Sequence, residues 1–269
     1  MRGHGARQLP NGFPEKPLIG MIHMPALPGA PGNTLAMDAL VRYALSEARI
    51  LERAGLDAVI VENVGDTPFF KERVPPVTIA AMTAIAGEVV AHTKLAVGLN
   101  VLRNACAEAL SIAHVTAARF IRCNIMIGAY ATDQGVIEGC AAALARLKHE
   151  LGAHVLIFGD VHVKHAHPLF DVPIEHAAAD LAERGGADAV IVSGARSPIP
   201  PAAETLDTVR AAVALPVLVG SGVGLANVQQ LYRASDGLIL GEPDFKIDAV
   251  WGGPSDERAY ATAVQRCRG

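Results

Sequence analysis

The sequence contains few cysteines, and they are scattered. Four occur in 269 residues, Cys106, Cys123, Cys140 and Cys267, and no two of them form a CxxC pair. This spacing excludes a CxxC-type site and a dense disulfide framework. Isolated cysteines in a chain of this size usually behave as small buried hydrophobic residues. We therefore predict that all four are reduced and structural.

The chain also lacks an excess of charge of either sign. It has 23 Lys and Arg residues against 27 Asp and Glu residues, which gives a net charge of −4. Such a balance gives no reason to expect a nucleic-acid partner. With 51% hydrophobic and 19% charged residues, the composition is that of a globular protein and not of a disordered one.

No hydrophobic run is long enough for a membrane span. The longest weakly polar stretch, VPPVTIAAMTAIAGEVVA from Val74, contains two prolines and Glu88. A spanning helix needs about 20 apolar residues, so this stretch favours a buried helix of a soluble protein. Residues 1–16 lack the pattern of a signal segment. We predict a flexible lead-in over 1–16 and a cytoplasmic location.

What the sequence does contain is a repeated alternation. Short β-branched runs, each followed by a polar or glycine-rich break and an alanine-rich helical stretch, predict eight βα units. The predicted strands cover 17–23, 57–63, 94–100, 118–124, 154–160, 187–194, 215–222 and 236–242. The predicted helices cover 35–54, a stretch from 75, a stretch from 105, then 139–151, 174–184, 202–214, 225–234 and a stretch from 256.

Eight such units predict a single (β/α)8 TIM barrel over 17–269. The runs are apolar on both faces, as in a parallel sheet that helices cover. A doubly wound open sheet is the structural alternative, but no GxGxxG follows the first strand. We see no second domain and no linker.

Polar side chains collect where the predicted strands end, and the opposite loops are small and plain. Because active sites of this fold lie at the carboxyl ends of the strands, this asymmetry predicts a small-molecule site at that end of the barrel. The predicted catalytic residues are His23, Glu62, Asp160 and Lys164. The predicted substrate-binding residues are Asn63, Asp66, Asn100, Arg122, Asn124, His165, Ser193, Gly220, Ser221 and Gly222.

A GSG turn follows the seventh strand and precedes a helix, over Gly220–Gly222. Its backbone N–H groups predict an anion site. The alternative is that the glycines only permit a tight turn between strand and helix. The eighth strand ends in GEPDFK, where Glu242 and Asp244 stand at positions at which a phosphate would need donors. Lys246 is a candidate to compensate for them, yet the two carboxylates argue against a standard phosphate cup.

Several of these loops resemble those of the BtpA/SgcQ family. The resemblance rests on PLIGMIHMPALPGAPG, VIVENVGDTPF, FIRCNIMIGAYATDQG, DVHVKHA, ADAVIVSGAR and VLVGSGV, which together span nearly the whole chain. It implies a TIM-type barrel related to the ribulose-phosphate-binding group. By motif match it also implies functional positions at His23, Glu62, Asn63, Asp66, Arg122, Asn124, Asp160, Lys164, His165, Ser193 and Gly222.

The functional implications of the resemblance point in two directions. The family takes its name from a role in photosystem I biogenesis, whereas one relative sits among sugar-uptake and sugar-phosphate genes. Two loops depart from the family pattern, namely SGARSPIP with Arg196 and Pro198, and GEPDFK. These departures favour a less anionic ligand in this chain.

Glu62 and Asp160 follow the second and fifth strands, so they could face each other across the mouth of the barrel. Paired carboxylates can divide acid and base roles when their environments separate their pKa values. The alternative is that each carboxylate forms a salt bridge with a neighbouring cation as part of the scaffold. Lys164 could clamp a substrate, and a Schiff-base role is the less favoured interpretation because it lies well beyond the strand end.

A divalent metal such as zinc is a candidate cofactor, although none is certain. His23, Glu62, Asp160 and His162 offer suitable nitrogen and oxygen ligands. Strand alternation predicts that Asp160 and His162 point to the same side, whereas His167 is predicted to face solvent. Trp251, the single tryptophan, either closes over the mouth or packs its own loop.

These observations predict an enzyme that acts by acid–base chemistry on a sugar-like molecule, a phosphosugar or a nucleoside. Isomerase, lyase and glycosidic hydrolase activities all remain open. A non-catalytic biogenesis factor and a regulatory sugar-phosphate binder are the alternatives, and we expect a homo-oligomer.

Overall fold

The computed structural model describes residues 7–10, 12–194, 199–250 and 252–269. Eight barrel strands, β1–β8, run over Leu18–His23, Ala58–Glu62, Ala96–Asn100, Phe120–Cys123, Leu156–Val161, Ala189–Val192, Val217–Val219 and Leu238–Leu240. Eight helices, α1–α8, run over Met37–Arg53, Pro76–His92, Cys106–Thr116, Ala141–Glu150, Ile174–Glu183, Ala203–Ala212, Val228–Ala234 and Glu257–Arg268. Each helix follows the strand of the same number.

The strands form a closed parallel barrel, as predicted. Each strand pairs with the next along the chain, and β8 pairs with β1 to close the ring. Nearly every strand residue is buried, because one face of the sheet lines the barrel interior and the other packs under the helices. The single (β/α)8 fold is therefore confirmed. Among the described residues, no helix is both long and apolar enough to cross a membrane.

Described residues before β1 contribute to the barrel core, whereas the sequence predicts a flexible lead-in over 1–16. Leu9 and Phe13 are buried together with the inward-facing side chains of the strands. The Phe13 ring lies 5.6 Å from that of Phe120 and 6.1 Å from that of Phe158. A barrel interior is apolar at the end away from the active site, and these two side chains remove that surface from water.

A small three-stranded sheet between β4 and α5 was not predicted. Ala129–Thr132 pairs with Gly135–Glu138 in an antiparallel hairpin, and the two-residue strand His167–Pro168 pairs with its other edge. Its inner face packs Tyr130 and Ile137 into a separate small core. The two hairpin strands have only four residues each and the third has two, so sequence periodicity gives little signal for them.

Three residues named in the sequence analysis lie outside the described residues. They are Arg196, Pro198 and Trp251.

Candidate active site at the mouth of the barrel

A cavity of about 740 Å³ opens at the carboxyl ends of the strands. Its volume is in the range of ligand pockets of enzymes. Eight of the predicted site residues line it, namely His23, Glu62, Asn100, Arg122, Asn124, Lys164, His165 and Gly220. Asn63, Asp66, Asp160, His162, Ser193, Ser221 and Gly222 are not among the residues that form its described wall.

Strand register places the central carboxylate of the cavity. His23 pairs with Glu62, and Glu62 pairs with Asn100, so three polar side chains stand side by side at the ends of β1, β2 and β3. The Asn100 amide donates to Glu62 Oε2 over 2.6 Å. Glu62 Oε1 lies 3.7 Å from His23 Nε2, which is longer than a hydrogen bond.

Burial raises the pKa of Glu62 above its ordinary value, and the positive charges of Arg122 and Lys164 oppose that rise. A carboxyl group with a raised pKa holds its proton more tightly than an ordinary carboxyl group, which suits a general acid or base. Glu62 is thus the group in this cavity with the chemistry of a general acid or base.

His23 is a neutral imidazole beside this carboxylate. Burial lowers the pKa of His23 to about 3, and the nearby charges of Lys246, Lys164 and Arg122 act in the same direction. The ring therefore stays uncharged through the physiological pH range. It can orient Glu62 or a ligand, but it does not supply a positive charge.

This depressed pKa predicts a pH-dependent contribution to stability. The unfolded chain binds a proton on this histidine below about pH 6.5, whereas the folded chain binds it only near pH 3. Lowering the pH through that window therefore destabilises the wild type. Relative to His23→Gln, we expect its free energy of unfolding to fall by up to about 1.4 kcal/mol per pH unit. Urea unfolding of both proteins at pH 4 to 7 measures this difference, and parallel pH profiles would contradict it.

Asp160 is the counter-ion of Arg122 and not a free carboxylate across from Glu62. The Arg122 guanidinium donates to both oxygens of Asp160, over 3.0 and 2.9 Å, and the Asn124 amide donates to Asp160 Oδ2 over 2.8 Å. Three charge-assisted or amide donors bind this one buried carboxylate and direct it at β4. The predicted acid–base pair of Glu62 and Asp160 is therefore not formed, and the scaffold alternative describes Asp160.

Asn63 and Asp66 shape the loops and do not face the cavity. The Asn63 side chain accepts from the Leu102 N–H over 2.8 Å and donates to Asp66 over 3.0 Å. Asp66 in turn accepts from the Leu27 N–H over 2.7 Å. Together they connect the loops that follow β1, β2 and β3, so their contribution to a ligand site is indirect.

Lys164 reaches back into the mouth from the loop after β5. Its Nζ donates to the Ser221 hydroxyl over 3.1 Å, and that hydroxyl donates to Glu242 Oε1 over 2.8 Å. Burial and the neighbouring Arg122 charge lower the pKa of Lys164. The predicted substrate clamp is thus in a position to bind a ligand from the cavity wall.

The GSG turn is occupied by the chain's own carboxylates. Glu242 Oε1 also accepts from the Gly222 N–H over 2.9 Å. Three residues further on, the Leu225 N–H donates to Asp244 over 3.1 Å. An anion site at this turn would have used these same donors. The turn therefore does not provide a standard phosphate cup, because the Glu242 carboxylate accepts the hydrogen bond that a bound anion would accept.

Lys246 does not compensate for these carboxylates at the mouth. Its Nζ is buried between the Met21 carbonyl oxygen and the Ser255 hydroxyl, each at 3.3 Å, and it lies 3.7 Å from Glu47. The lysine belongs to a buried polar group under α1.

Ser193 and Gly220 lie next to the Arg122 guanidinium. A methyl group on Gly220 would stand 2.4 Å from the Ile191 side chain, 3.2 Å from Ser193 Oγ and 3.5 Å from an Arg122 nitrogen. Glycine is needed here because a side chain would overlap the Ile191 side chain. Gly222 is equally constrained, since it has a positive φ of 74° and a side chain would meet the backbone of Ile199 and Pro200.

The predicted metal ligands at the mouth do not converge. His162 has a positive φ of 47° directly after β5 ends, so it leaves the strand alternation and lines a different cavity beside Tyr130. Asp160 is saturated by Arg122 and Asn124. Within 7–10, 12–194, 199–250 and 252–269, groups of three metal-ligating side chains meet at the cysteines alone. His167 is exposed, as predicted.

Sequence analysis missed residues that complete the cavity wall from the loops. Phe69, Thr67 and Pro243 contribute to it. Arg103 also lines it, and its guanidinium donates to the Lys164 carbonyl oxygen over 2.8 Å. The signal for Arg103 was its place three residues after β3. The apolar residues carried no signal, because the sequence does not distinguish a loop phenylalanine that lines a cavity from one that packs against its own loop.

Comparison with protein families gives one match over most of the chain. The model of the BtpA family matches residues 14–261. An uncharacterized protein of Pyrococcus horikoshii is 45% identical over 229 residues, which cover 85% of this chain and 87% of that protein. The photosystem I biogenesis protein BtpA of Synechocystis is 42% identical over 227 residues, which cover 84% of this chain and 79% of that protein.

Solved structures with the same fold are more distant in sequence. The phosphoribosylanthranilate isomerase of Pyrococcus furiosus superposes with a TM-score of 0.56 at 16% identity, covering 93% of this chain and 98% of that one. The tryptophan synthase structure of Mycobacterium tuberculosis gives a TM-score of 0.61 at 17% identity, covering 95% and 93%. At such identities the likeness extends to the barrel fold and not to an activity.

Proposed function

The chain belongs to the BtpA family, and from that premise and the chemistry of its mouth we propose that it is an enzyme. Its substrate is a sugar-like, hydroxyl-bearing small molecule, and Glu62 transfers the proton. The observation that carries this proposal is one buried carboxyl group with a raised pKa in a cavity that Arg122 and Lys164 also line.

Glu62 would act as the base that removes a proton from a substrate carbon, or as the acid that returns it. Asn100 fixes one carboxylate oxygen, so the other is directed towards the ligand. Arg122 and Lys164 supply positive charge where an enolate or another oxyanion would develop. Asn124 Oδ1 is buried without a hydrogen-bond partner among the described residues, and it offers an acceptor for a substrate hydroxyl.

A catalytic role for Glu62 alone, whose carboxylate accepts from the Asn100 amide, favours isomerase or lyase chemistry over glycosidic hydrolysis. Glycosidases generally use two carboxyl groups on either side of the scissile bond. Behind the cavity wall Asp160 is bound by Arg122 and Asn124, and in the wall Glu242 is bound by Ser221 and Gly222. One group that moves one proton is the chemistry of an isomerisation or an elimination.

The substrate class follows from what the cavity offers. Two fold neighbours are named for substrates that carry a phosphate, phosphoribosylanthranilate and thiamine phosphate. In this chain Glu242 and Asp244 accept from the turn that would hold such a group. A neutral sugar or a nucleoside is therefore favoured, and a phosphosugar would have to place its anion at Arg122, Lys164 and Arg103.

A ligand screen followed by proton exchange tests this proposal. Thermal unfolding with panels of sugars, nucleosides and phosphosugars identifies ligands, because saturation at 100 times the Kd adds about 2.7 kcal/mol of stability. Each stabilising compound is then incubated with the protein in D2O and followed by proton NMR. We expect one carbon-bound proton of the substrate to exchange with solvent or a new product to form.

Two outcomes would overturn the enzyme assignment. A compound that stabilises the protein but neither exchanges nor reacts would make the chain a regulatory binder. No stabilising compound in any class would favour a non-catalytic assembly factor. The second function has one observation in its favour, the 42% identity to a photosystem I biogenesis protein. The buried positions of Glu62, Asp160 and Arg122 favour the enzyme, because an interaction scaffold has no need of inward titratable groups.

A further inference from the structure

Three of the four cysteines, far apart in the sequence, come together behind the candidate active site. Cys106 opens α3, Cys123 ends β4, and Cys140 immediately precedes α4. Their sulfur atoms all lie within 4.8 Å of one another, and the Cys123 and Cys140 sulfurs are 3.4 Å apart. The prediction of four isolated structural cysteines is therefore wrong in its spatial part, since the fold assembles three of them into one cluster.

The spacing of the sulfurs matches the size of a metal ion. A zinc–thiolate bond is about 2.3 Å long, so sulfurs that share one tetrahedral or trigonal ion lie about 3.8 to 4.0 Å apart. The observed separations, from 3.4 Å to at most 4.8 Å, bracket that value. Small side-chain rotations would suffice to bring the three sulfurs to equal distances from a central ion.

We propose that Cys106, Cys123 and Cys140 form a binding site for one thiophilic d10 cation, Zn²⁺ or Cu⁺. A donor set made only of thiolates selects soft or borderline ions and disfavours Mg²⁺ and Ca²⁺, which take oxygen ligands. Two of the cysteines are buried and Cys140 is half-buried, so the ion enters from the Cys140 side.

Groups around the sulfurs hold the cysteine-bearing segments in place. The Asn104 side chain donates to the Ile125 carbonyl oxygen over 2.9 Å and accepts from the Ile125 N–H over 2.8 Å. Its amide oxygen also lies 3.5 Å from the Cys106 sulfur. The ligand-bearing segments are thus connected by hydrogen bonds around the cluster, as the outer shell of metal sites usually is.

The site would have a structural role next to the mouth cavity. Cys123 is flanked by Arg122 and Asn124, the two residues that bind Asp160, and Cys106 follows the loop that carries Arg103. An ion held by all three cysteines would tie the start of α3, the end of β4 and the start of α4 to one point. The proposal does not depend on the proposed function, because it concerns metal affinity and not turnover.

A metal titration of the full chain tests the site. The protein is purified without a polyhistidine tag under reducing conditions, treated with chelator, and titrated with Co²⁺ as an optical probe, then with Zn²⁺ and with Cu⁺. We expect about one equivalent of metal per chain, with sulfur-to-cobalt charge-transfer absorption that Zn²⁺ abolishes. Thiol counting on the folded protein should show Cys106, Cys123 and Cys140 less reactive with metal bound than after chelation, and Cys267 equally reactive in both.

Matched variants separate the site from adventitious binding. Cys140→Ser changes one atom at a half-buried position and is expected to lower uptake below about a tenth of an equivalent at the same free metal. Cys267→Ser alters the cysteine of α8, which lies outside the cluster, and should bind metal like the wild type. Circular dichroism of each variant verifies that the barrel is folded.

Three results would overturn the proposal. The first is wild-type protein that takes up no thiolate-bound metal under reducing conditions. The second is uptake that survives Cys140→Ser, which would place the metal elsewhere. The third is a reduced, chelated protein that has no affinity for metal and forms a Cys123–Cys140 disulfide on mild oxidation. That result would make the cluster a redox pair.

Discussion

Glu62→Gln is expected to lower the rate of solvent proton exchange into the substrate by about 10²- to 10⁴-fold, the usual contribution of a general acid or base. Glutamine keeps the length of the side chain and an oxygen that accepts from Asn100, so substrate affinity should change little. The change removes the titratable group and leaves the cavity otherwise intact. Exchange rates in D2O and the thermal shift with the same ligand measure the two effects separately.

Stability provides an independent signature for the same variant. Because burial raises the pKa of Glu62, the folded chain holds this proton more tightly than the unfolded chain does. The free energy of unfolding then falls as the pH rises from the ordinary value of 4.5 through the raised one, where the buried carboxylate becomes charged. Glutamine carries no charge at any pH. At neutral pH the variant should therefore be at least as stable as the wild type.

Glu88→Gln is the matched control, since it makes the same chemical change at a half-exposed carboxylate on α2. It should alter neither exchange nor binding. Unchanged turnover and binding in Glu62→Gln would remove Glu62 from the mechanism. A large loss of stability in that variant would instead show that Glu62 is a structural counter-ion.

Asp160→Ala is expected to destabilise the chain by about 3 to 5 kcal/mol, because it leaves the buried Arg122 charge without its partner. The Asp160 side chain is fully buried and that of Arg122 is 6% exposed, so water cannot replace the lost carboxylate. Arg122 would also lose the contact that directs its guanidinium into the cavity. Urea denaturation monitored by circular dichroism measures the change in the free energy of unfolding.

Two further variants show how much of the loss in free energy of unfolding is caused by the unpaired, buried charge of Arg122. Asp180→Ala breaks an exposed pair with Arg184 on α5 and should cost less than about 1 kcal/mol. Asp160→Leu combined with Arg122→Met removes both charges and should recover much of the lost stability. The double variant should still fail to bind the ligand. If Asp160→Ala were as stable as the wild type, the Arg122–Asp160 pair would not organise the mouth.

The sequence predicted where the candidate site lies better than it predicted which side chains pair with each other there. His23, Glu62 and Asn100 were identified because each ends a buried strand, and parallel register then sets them side by side. Asp160 was identified for the same reason, and of its two predicted roles the contacts with Arg122 favour the salt bridge. Nothing in the spacing of Asp160 shows that the Arg122 side chain extends along the barrel wall to reach it.

The loops limited prediction in a different way. His162 was expected beside Asp160, yet a positive φ just after β5 rotates it into another cavity. Glu242 was recognised as unfavourable for a bound phosphate, and the structure gives the reason, because its carboxylate accepts from the turn donors. Backbone conformation in loops depends on distant neighbours, and sequence periodicity carries no information about those neighbours.

The sequence alone determined the architecture and the end of the barrel that carries the cavity. Strand and helix periodicity are local properties, and eight βα units with right-handed connections leave one closed arrangement. Tertiary structure decided which side chains meet. It joined Arg122 to Asp160, placed Glu242 in the GSG turn, buried Phe13 under the barrel and brought three dispersed cysteines within 4.8 Å. Each of these contacts joins residues that are distant along the chain, so packing and rotamer choice fix them and local pattern does not.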